Sequence, residues 1–228
     1  MKYLLKNIIL NKFIAKLLLK PMLKLHSFTY VFAGKLAIVL NNGVHPKHSI
    51  MKYKEWFVNN IQDDWVVLDV GCNTGMMVDV MSKKAKFIYG IEIEKKYINK
   101  AKSRYKKVNI EFFNADATSF DYTNLDAIDC VTLSNVLEHI EQRVEFLDKL
   151  VSQIKWRDKK RLLIRVPMID REWISVYKRD IGVDYRLDPT HYTEYTFEEF
   201  EEELHEADLK IVNHHIKFGE IYAKCEAI

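Results

Sequence analysis

Val66-Val67-Leu68-Asp69-Val70-Gly71-Cys72-Asn73-Thr74-Gly75 is the stretch that decides how this 228-residue chain is read. An apolar run of strand length passes straight into a turn bounded by two glycines. Without a Cβ, a glycine lets the backbone turn tightly and approach a ligand closely. Working outward, apolar runs at 87–93, 109–113, 127–133 and 162–166 alternate with helical patterns at 76–83, 95–105 and 143–155. Such a βαβ series demands a parallel sheet with right-handed crossovers and helices on both faces, and its ligands bind beyond the carboxyl ends of the strands. The expected class is α/β, doubly wound. A glutamate-rich helix at 196–207 follows, then two terminal strands at 210–215 and 221–225 joined by a turn at 217–219. The segment from 167 to 193 reads as irregular and polar, and an amphipathic helix is expected over 49–61.

Composition bounds the rest. Seven Gly and four Pro beside 12 Tyr and 12 Phe exclude disordered and collagen-like chains. Cys72, Cys130 and Cys225 are odd in number and widely spaced, which excludes a CxxC metal signature and a disulfide framework and points to a reducing cytoplasm. The net charge of +3 hides an asymmetry: residues 1–54 carry ten lysines and no acid. The expected organisation is a basic amphipathic helical leader and cap over 1–54 and one α/β domain over 55–228. Leu4, Leu5, Ile8, Ile9, Phe13, Ile14, Leu17 and Leu18 recur at helical spacing, with Lys2, Lys6, Lys12, Lys16 and Lys20 interrupting them. On that count no stretch is expected to span a bilayer, and the leader lacks the features of a signal or transit peptide.

The chemistry sits at the strand ends. A dinucleotide-binding loop would read GxGxxG, but Asn73 and Met76 stand where glycines would be required, so the NAD fingerprint is missing. Asp69 favours a cationic group over a pyrophosphate. Glu92 ends the second strand about 20 residues past the glycine turn, the separation at which an acid reaches an adenosyl ribose. Asn114-Ala115-Asp116-Ala117 places a further acid in a turn suited to an adenine amino group; read alone it is equally a turn aspartate.

In order along residues 45–225, these motifs resemble those of the Rossmann-like class I S-adenosylmethionine (SAM)-dependent methyltransferases. Val67 to Gly75 is similar to their glycine-rich motif, with Asn73 where many members have glycine. Gly90-Ile91-Glu92 resembles the ribose motif, 114–117 the adenine motif, and Leu133-Ser134-Asn135-Val136-Leu137-Glu138-His139-Ile140 the fourth-strand motif beside the methyl group. The segments Asp188-Pro189-Thr190-His191-Tyr192-Thr193-Glu194-Tyr195-Thr196 and Gly219-Glu220-Ile221-Tyr222-Ala223 resemble the bacterial small-molecule and glycan-cluster branch. The resemblance implies a mostly parallel seven-stranded sheet with an antiparallel last strand, here carrying an N-terminal helical extension. It also implies SAM as cofactor, held by Asp69, Gly71, Cys72, Asn73, Gly75, Glu92, Ile93, Asp116, Ala117 and Ser134. His139 is the candidate base, since an imidazole titrates near neutrality; a packing or capping role for Glu138 and His139 is the structural alternative.

For the acceptor, Ser134-Asn135-Val136-Leu137 lacks the Asn/Asp-Pro-Pro-aromatic motif of nucleic-acid amino methyltransferases, and Cys130 lies within an apolar strand. No nucleic-acid partner is expected. A small-molecule, glycan or lipid-linked acceptor remains. Arg165, in an otherwise apolar strand, needs a partner or a ligand; with His191, His45 and His48 it completes the expected acceptor-binding set, and no metal site is expected. The acid-free leader suggests peripheral attachment to an anionic membrane through residues 1–25. The competing classes are an NAD-linked oxidoreductase and a non-catalytic SAM-binding or membrane scaffold protein.

Overall fold

A computed structural model describes residues 11–228; the leader positions from Lys2 to Ile9 lie outside the described residues. Contacts divide the chain into two units, one comprising residues up to Met51 together with Glu172–Leu187, the other Lys52–Arg171 with Asp188–Ile228.

The helical unit is built on α1 (Lys12–Leu40), started by Asn11, whose side-chain oxygen accepts from the Phe13 and Ile14 amides at 3.0 and 3.4 Å. By length and composition α1 can cross a membrane: its best 18-residue window has a mean hydropathy of 1.3 and is 6% buried. This corrects the expectation that no stretch could do so. The lysines that interrupt the pattern are densest up to Lys24, whereas between Leu25 and Leu40 only Lys35 intervenes. Helix α2 (Lys47–Ile50) ends this part of the unit. The segment read as irregular contains α7 (Trp173–Asp180), whose Lys178 is buried and donates to the Ser27 hydroxyl of α1 at 2.9 Å. Eight residues give too short a period for α7 to stand out in the sequence.

The single helix expected over 49–61 is broken. Lys52, at φ 52°, separates α2 from α3 (Tyr53–Asn59), because a residue in the left-handed region cannot continue a right-handed helix.

In the sheet unit, β1 (Val66–Val70), β2 (Phe87–Glu92), β3 (Ile110–Asn114), β4 (Cys130–Ser134), β5 (Arg161–Pro167), β6 (Leu209–Lys217) and β7 (Glu220–Ala227) form one seven-stranded sheet in the order β3-β2-β1-β4-β5-β7-β6. Strands β1 to β5 pair in parallel, and β7 runs antiparallel to both β5 and β6. Every residue of β1 is buried, as expected of a central strand covered on both faces. Helices α4 (Met76–Met81), α5 (Lys95–Arg104), α6 (Arg143–Gln153) and α8 (Phe197–Glu206) connect the strands. Helix α8 opens with a reciprocal capping box between Thr196 and Glu199.

Strand β4 is shorter than the apolar run predicts. Ile128 leaves the sheet to form an isolated bridge with Trp156. The strand order reverses at β1, which has β2 on one side and β4 on the other. That switch point is where a doubly wound sheet opens a crevice at its carboxyl edge.

Candidate active site

The turn leaving β1 is shaped by backbone sterics. Gly71 has φ 70°, and a Cβ there would lie 2.6 Å from Val136 Cγ2. Asn73 also occupies the left-handed region, at φ 49°. Asparagine is among the few non-glycine residues that enter this region readily, so the departure from the family's glycine keeps the loop's shape. The Asn73 amide donates to Glu92 Oε2 at 2.9 Å, and the Glu94 amide donates to Glu92 Oε1 at 2.8 Å. A carboxylate offers about four lone-pair sites. Two are taken by these amides, one on each oxygen, so each oxygen of Glu92 retains acceptor capacity where it lines the cleft. That fits the two hydroxyls of a ribose.

Asp116 stands next along the same wall. Its Oδ1 accepts from the Thr118 amide and hydroxyl at 2.9 and 2.8 Å, a turn that holds the carboxylate in place. Asn114 braces this wall by donating to the Glu92 and Ile93 carbonyls at 2.9 and 2.8 Å.

At the other end, β4 runs out into Asn135, at φ 56°, and then Val136 and His139, all three lining the same cleft of about 1000 Å³. That is the upper end of small-molecule pockets, large enough for a cofactor and an acceptor together. Burial, and then His191, lower the His139 pKa below its usual value, so the imidazole is neutral at pH 7. The ring of His191 stands edge to face with it at 4.7 Å between centroids. Glu138 is fully buried, which pushes its carboxyl up to about 8.

Six of the ten residues expected at the cofactor line this cleft: Gly71, Asn73, Glu92, Ile93, Asp116 and Ala117. The candidate base, His139, does so as well. The other four shape the site from behind. Asp69 is buried and accepts the Thr132 hydroxyl at 2.6 Å, and burial raises its pKa to about 7, so it braces β1 against β4. Cys72 is buried, with its amide donating to the Ile91 carbonyl at 2.9 Å. Gly75 begins α4, where a Cβ would press on Phe112 and Ala101 at 2.9 and 3.0 Å. Ser134 is the last residue of β4, paired with Arg165.

Of the four residues expected at the acceptor, Arg165 is buried and its Nε donates to Asn135 Oδ1 at 2.6 Å and to Glu220 Oε2 at 3.0 Å, with Tyr53 stacked on the guanidinium at 4.0 Å. The guanidinium is paired with Glu220 and through Asn135 it props the cleft wall, while its buried Nη1 has no hydrogen-bond partner among the described residues. His191 is buried beside His139, its Nδ1 2.9 Å from Glu194 Oε1. His45 and His48 belong to the helical unit, where their rings stand edge to face at 6.3 Å. Sequence reasoning missed Tyr97 and Tyr192, which also line the cleft. Tyr97 falls in the first turn of α5, where its position five residues past Glu92 was an available signal. Tyr192 is brought in by its amide, which donates to the Glu138 carbonyl at 2.7 Å, and nothing local in the sequence announces that bond.

Comparisons with known proteins agree with this geometry. Among curated relatives, an uncharacterised methyltransferase of Mycobacterium bovis is 26% identical over 84 residues, 37% of this chain and 42% of its own length. The ribosomal RNA small subunit methyltransferase A of Mesomycoplasma hyopneumoniae is 25% identical over 121 residues, 53% of this chain and 45% of its own. The chain thus spans less than half the length of the curated relatives it matches. Among solved structures, magnesium protoporphyrin IX methyltransferase from Synechocystis with bound S-adenosylhomocysteine superposes with a TM-score of 0.57 at 18% identity, covering 80% of this chain and 83% of that one. A SAM-dependent methyltransferase from Methanosarcina mazei gives 0.60 at 16% identity, covering 76% and 97%. These likenesses confirm the fold. Residues 44–214, three quarters of the chain, match the family described as the methyltransferase domain; the chain belongs to that family, with the Rossmann-like fold of its SAM-dependent members and S-adenosylmethionine as its cofactor.

Proposed function

We propose that the protein transfers the methyl group of SAM to an oxygen of a small-molecule, glycan or lipid-linked acceptor. The observation that supports this reading is the continuity of one cleft from Glu92 to His139, so that a carboxylate with spare acceptor sites and a neutral imidazole line the same cavity. Bound there, the cofactor's sulfonium supplies an already activated methyl group, so alignment of the acceptor does most of the work. Glu92, the Asn73 turn and Asp116 would hold the adenosyl end.

At the opposite end, His139 draws off the acceptor proton. The Thr190 hydroxyl donates to Asp188 Oδ1 at 2.7 Å, so the 2.9 Å contact between Thr190 Oγ1 and His139 Nδ1 has the ring nitrogen as donor. That puts the basic lone pair on Nε2. Tyr192 and the aliphatic Val136 and Ile140 flank His139 in the lining, a mixed surface suited to an uncharged ring or sugar face. Arg165 and His191 serve the acceptor end from behind, by bracing Asn135 and His139.

We further propose that α1 attaches the protein to an anionic membrane surface. Phe13, Leu17, Phe28, Phe32, Val39 and Leu40 are exposed on it, and residues 1–54 contain no acid to repel anionic lipid. Flotation of the full chain with anionic and with neutral vesicles tests this: binding to the anionic vesicles that high salt reverses is expected, and no binding at low salt refutes it.

Calorimetric titration with SAM, S-adenosylhomocysteine and NAD tests the cofactor assignment. Saturable binding of the first two with no heat from NAD is expected, followed by turnover in a screen of hydroxylated acceptors. NAD binding in place of SAM would overturn the reading in favour of an oxidoreductase, and SAM binding without turnover on any acceptor would favour a scaffold.

A further inference from the structure

We infer that Glu138, His139 and His191 form a binding site for one divalent transition-metal ion at the acceptor end of the cleft. One ring nitrogen of each histidine and one oxygen of the carboxylate lie within 4.8 Å of one another. Small side-chain adjustments bring such a trio to the metal-ligand distances of about 2.0–2.2 Å that imidazole and carboxylate adopt on zinc.

The second observation is independent of that clustering. Glu138 is fully buried, and neither of its carboxylate oxygens has a hydrogen-bond partner among the described residues. An isolated buried carboxylate is costly unless it is paired or coordinates a metal, and a bound cation supplies what the protein withholds.

The surrounding groups are arranged as outer partners of metal-bound histidines. His139 Nδ1 donates to Thr190, which is itself fixed by Asp188. His191 Nδ1 lies 2.9 Å from Glu194 Oε1; a carboxylate can only accept, so this nitrogen too carries the proton. Both rings therefore hold their basic lone pair on Nε2, the tautomer that a carboxylate or hydroxyl partner imposes on a ligating histidine. Glu194 in turn pairs with Arg171, which fixes its position. Two imidazoles and one carboxylate suit zinc or a neighbouring first-row ion rather than magnesium or calcium, and three protein ligands leave a position open.

This deepens the reading above and rests on it, because it takes an acceptor oxygen to arrive beside His139. In the open position an acceptor hydroxyl would be acidified by the cation and lose its proton to solvent. The oxygen–methyl bond then forms as the sulfur–methyl bond of SAM breaks, leaving S-adenosylhomocysteine. His139 acts in that state as a ligand.

The test uses the full-length, untagged protein, stripped with chelator and titrated with Co²⁺ followed by visible absorption, and with Zn²⁺ by calorimetry. The expected result is one equivalent of either ion per chain, with Co²⁺ ligand-field bands that Zn²⁺ displaces. Glu138→Gln, which keeps side-chain volume, and His191→Asn, which keeps a donor in the place of Nδ1 and removes Nε2, should each weaken binding by about 10-fold or more, while His205→Ala, on the exposed face of α8, should leave it unchanged. No stoichiometric binding, or binding that survives both substitutions, overturns the inference. SAM affinity measured on the same samples separates the two claims: SAM binding without metal binding refutes this site alone, and loss of both refutes the reading on which it rests.

Discussion

Replacing Glu92 by alanine should cost the protein most of its hold on the adenosyl ribose, and the structure sets the size of the effect. The carboxylate gives one acceptor site on each oxygen to the Asn73 and Glu94 amides, at 2.9 and 2.8 Å, and keeps one on each oxygen toward the cleft. Hydrogen bonds to a charged acceptor contribute about 1.5–3 kcal/mol each. Two such bonds, discounted because they share one anchor, imply a loss of about 2–4 kcal/mol, which is roughly 30- to 1000-fold in Kd. Part of that loss would come through the Asn73 turn, since its amide loses its acceptor in the variant.

A cycle separates the two contributions. S-adenosylhomocysteine and its 2′-deoxyribose analogue are titrated calorimetrically against wild type and Glu92→Ala. The wild type should discriminate between the ligands by at least about 10-fold, the value of one charged hydrogen bond, and the variant by far less. Equal discrimination by the two proteins would refute the assignment of Glu92 to the ribose, even if the variant binds more weakly overall.

Other expectations follow from the same geometry. Gly71→Ala places a Cβ 2.6 Å from Val136 Cγ2 at φ 70°, so SAM affinity should fall; adding Val136→Ala should restore part of it, and no recovery would show that the contact is not what limits binding. At Asn73, whose φ is 49°, glycine should be tolerated while valine should lower stability by about 1–2 kcal/mol, the left-handed penalty, read from urea midpoints. His139→Asn should lower turnover by about 10²–10⁴-fold while leaving SAM affinity within about 2-fold, and unchanged turnover on a working acceptor would remove His139 from the chemistry.

Asp69 should make stability fall as pH rises. Its folded carboxyl holds a proton up to about 7 whereas the unfolded chain releases it near 3.8, so between those values the folded state binds more protons and loses ground with increasing pH. The full difference is on the order of 4 kcal/mol. Asp69→Asn should flatten the decline between pH 4 and pH 7 in urea unfolding, and an unchanged slope would show that the decline arises elsewhere.

The sheet was legible in the sequence because its strands are short apolar runs bounded by turn residues. Their period and order leave few topologies once crossovers are right-handed. The candidate cofactor wall was legible as a place for a related reason: Gly71, Asn73, Glu92 and Asp116, which line one cleft, each sit within a few residues of a strand's carboxyl end, and strand ends converge at the switch point whatever the rest of the chain does. What local pattern could not resolve was side-chain direction. Asp69 and Cys72, one residue to either side of Val70 and Gly71, turn into the protein, and only their neighbours Thr132 and Ile91 reveal it.

Tertiary structure alone decided which side chains meet around His139, the proposed acceptor end. His191 lies 52 positions beyond His139, yet their rings are 4.7 Å apart because the loop before α8 folds back along Glu138, Tyr192 bonding to its carbonyl. Arg165 was flagged by its apolar strand as a charge in need of a partner, but Glu220 became that partner through the antiparallel pairing of β5 with β7. Sequence carries the chemistry that repeats at short range. Which distant side chains meet, and which buried carboxylate is left without a partner, follows from how closed elements fill the space between them.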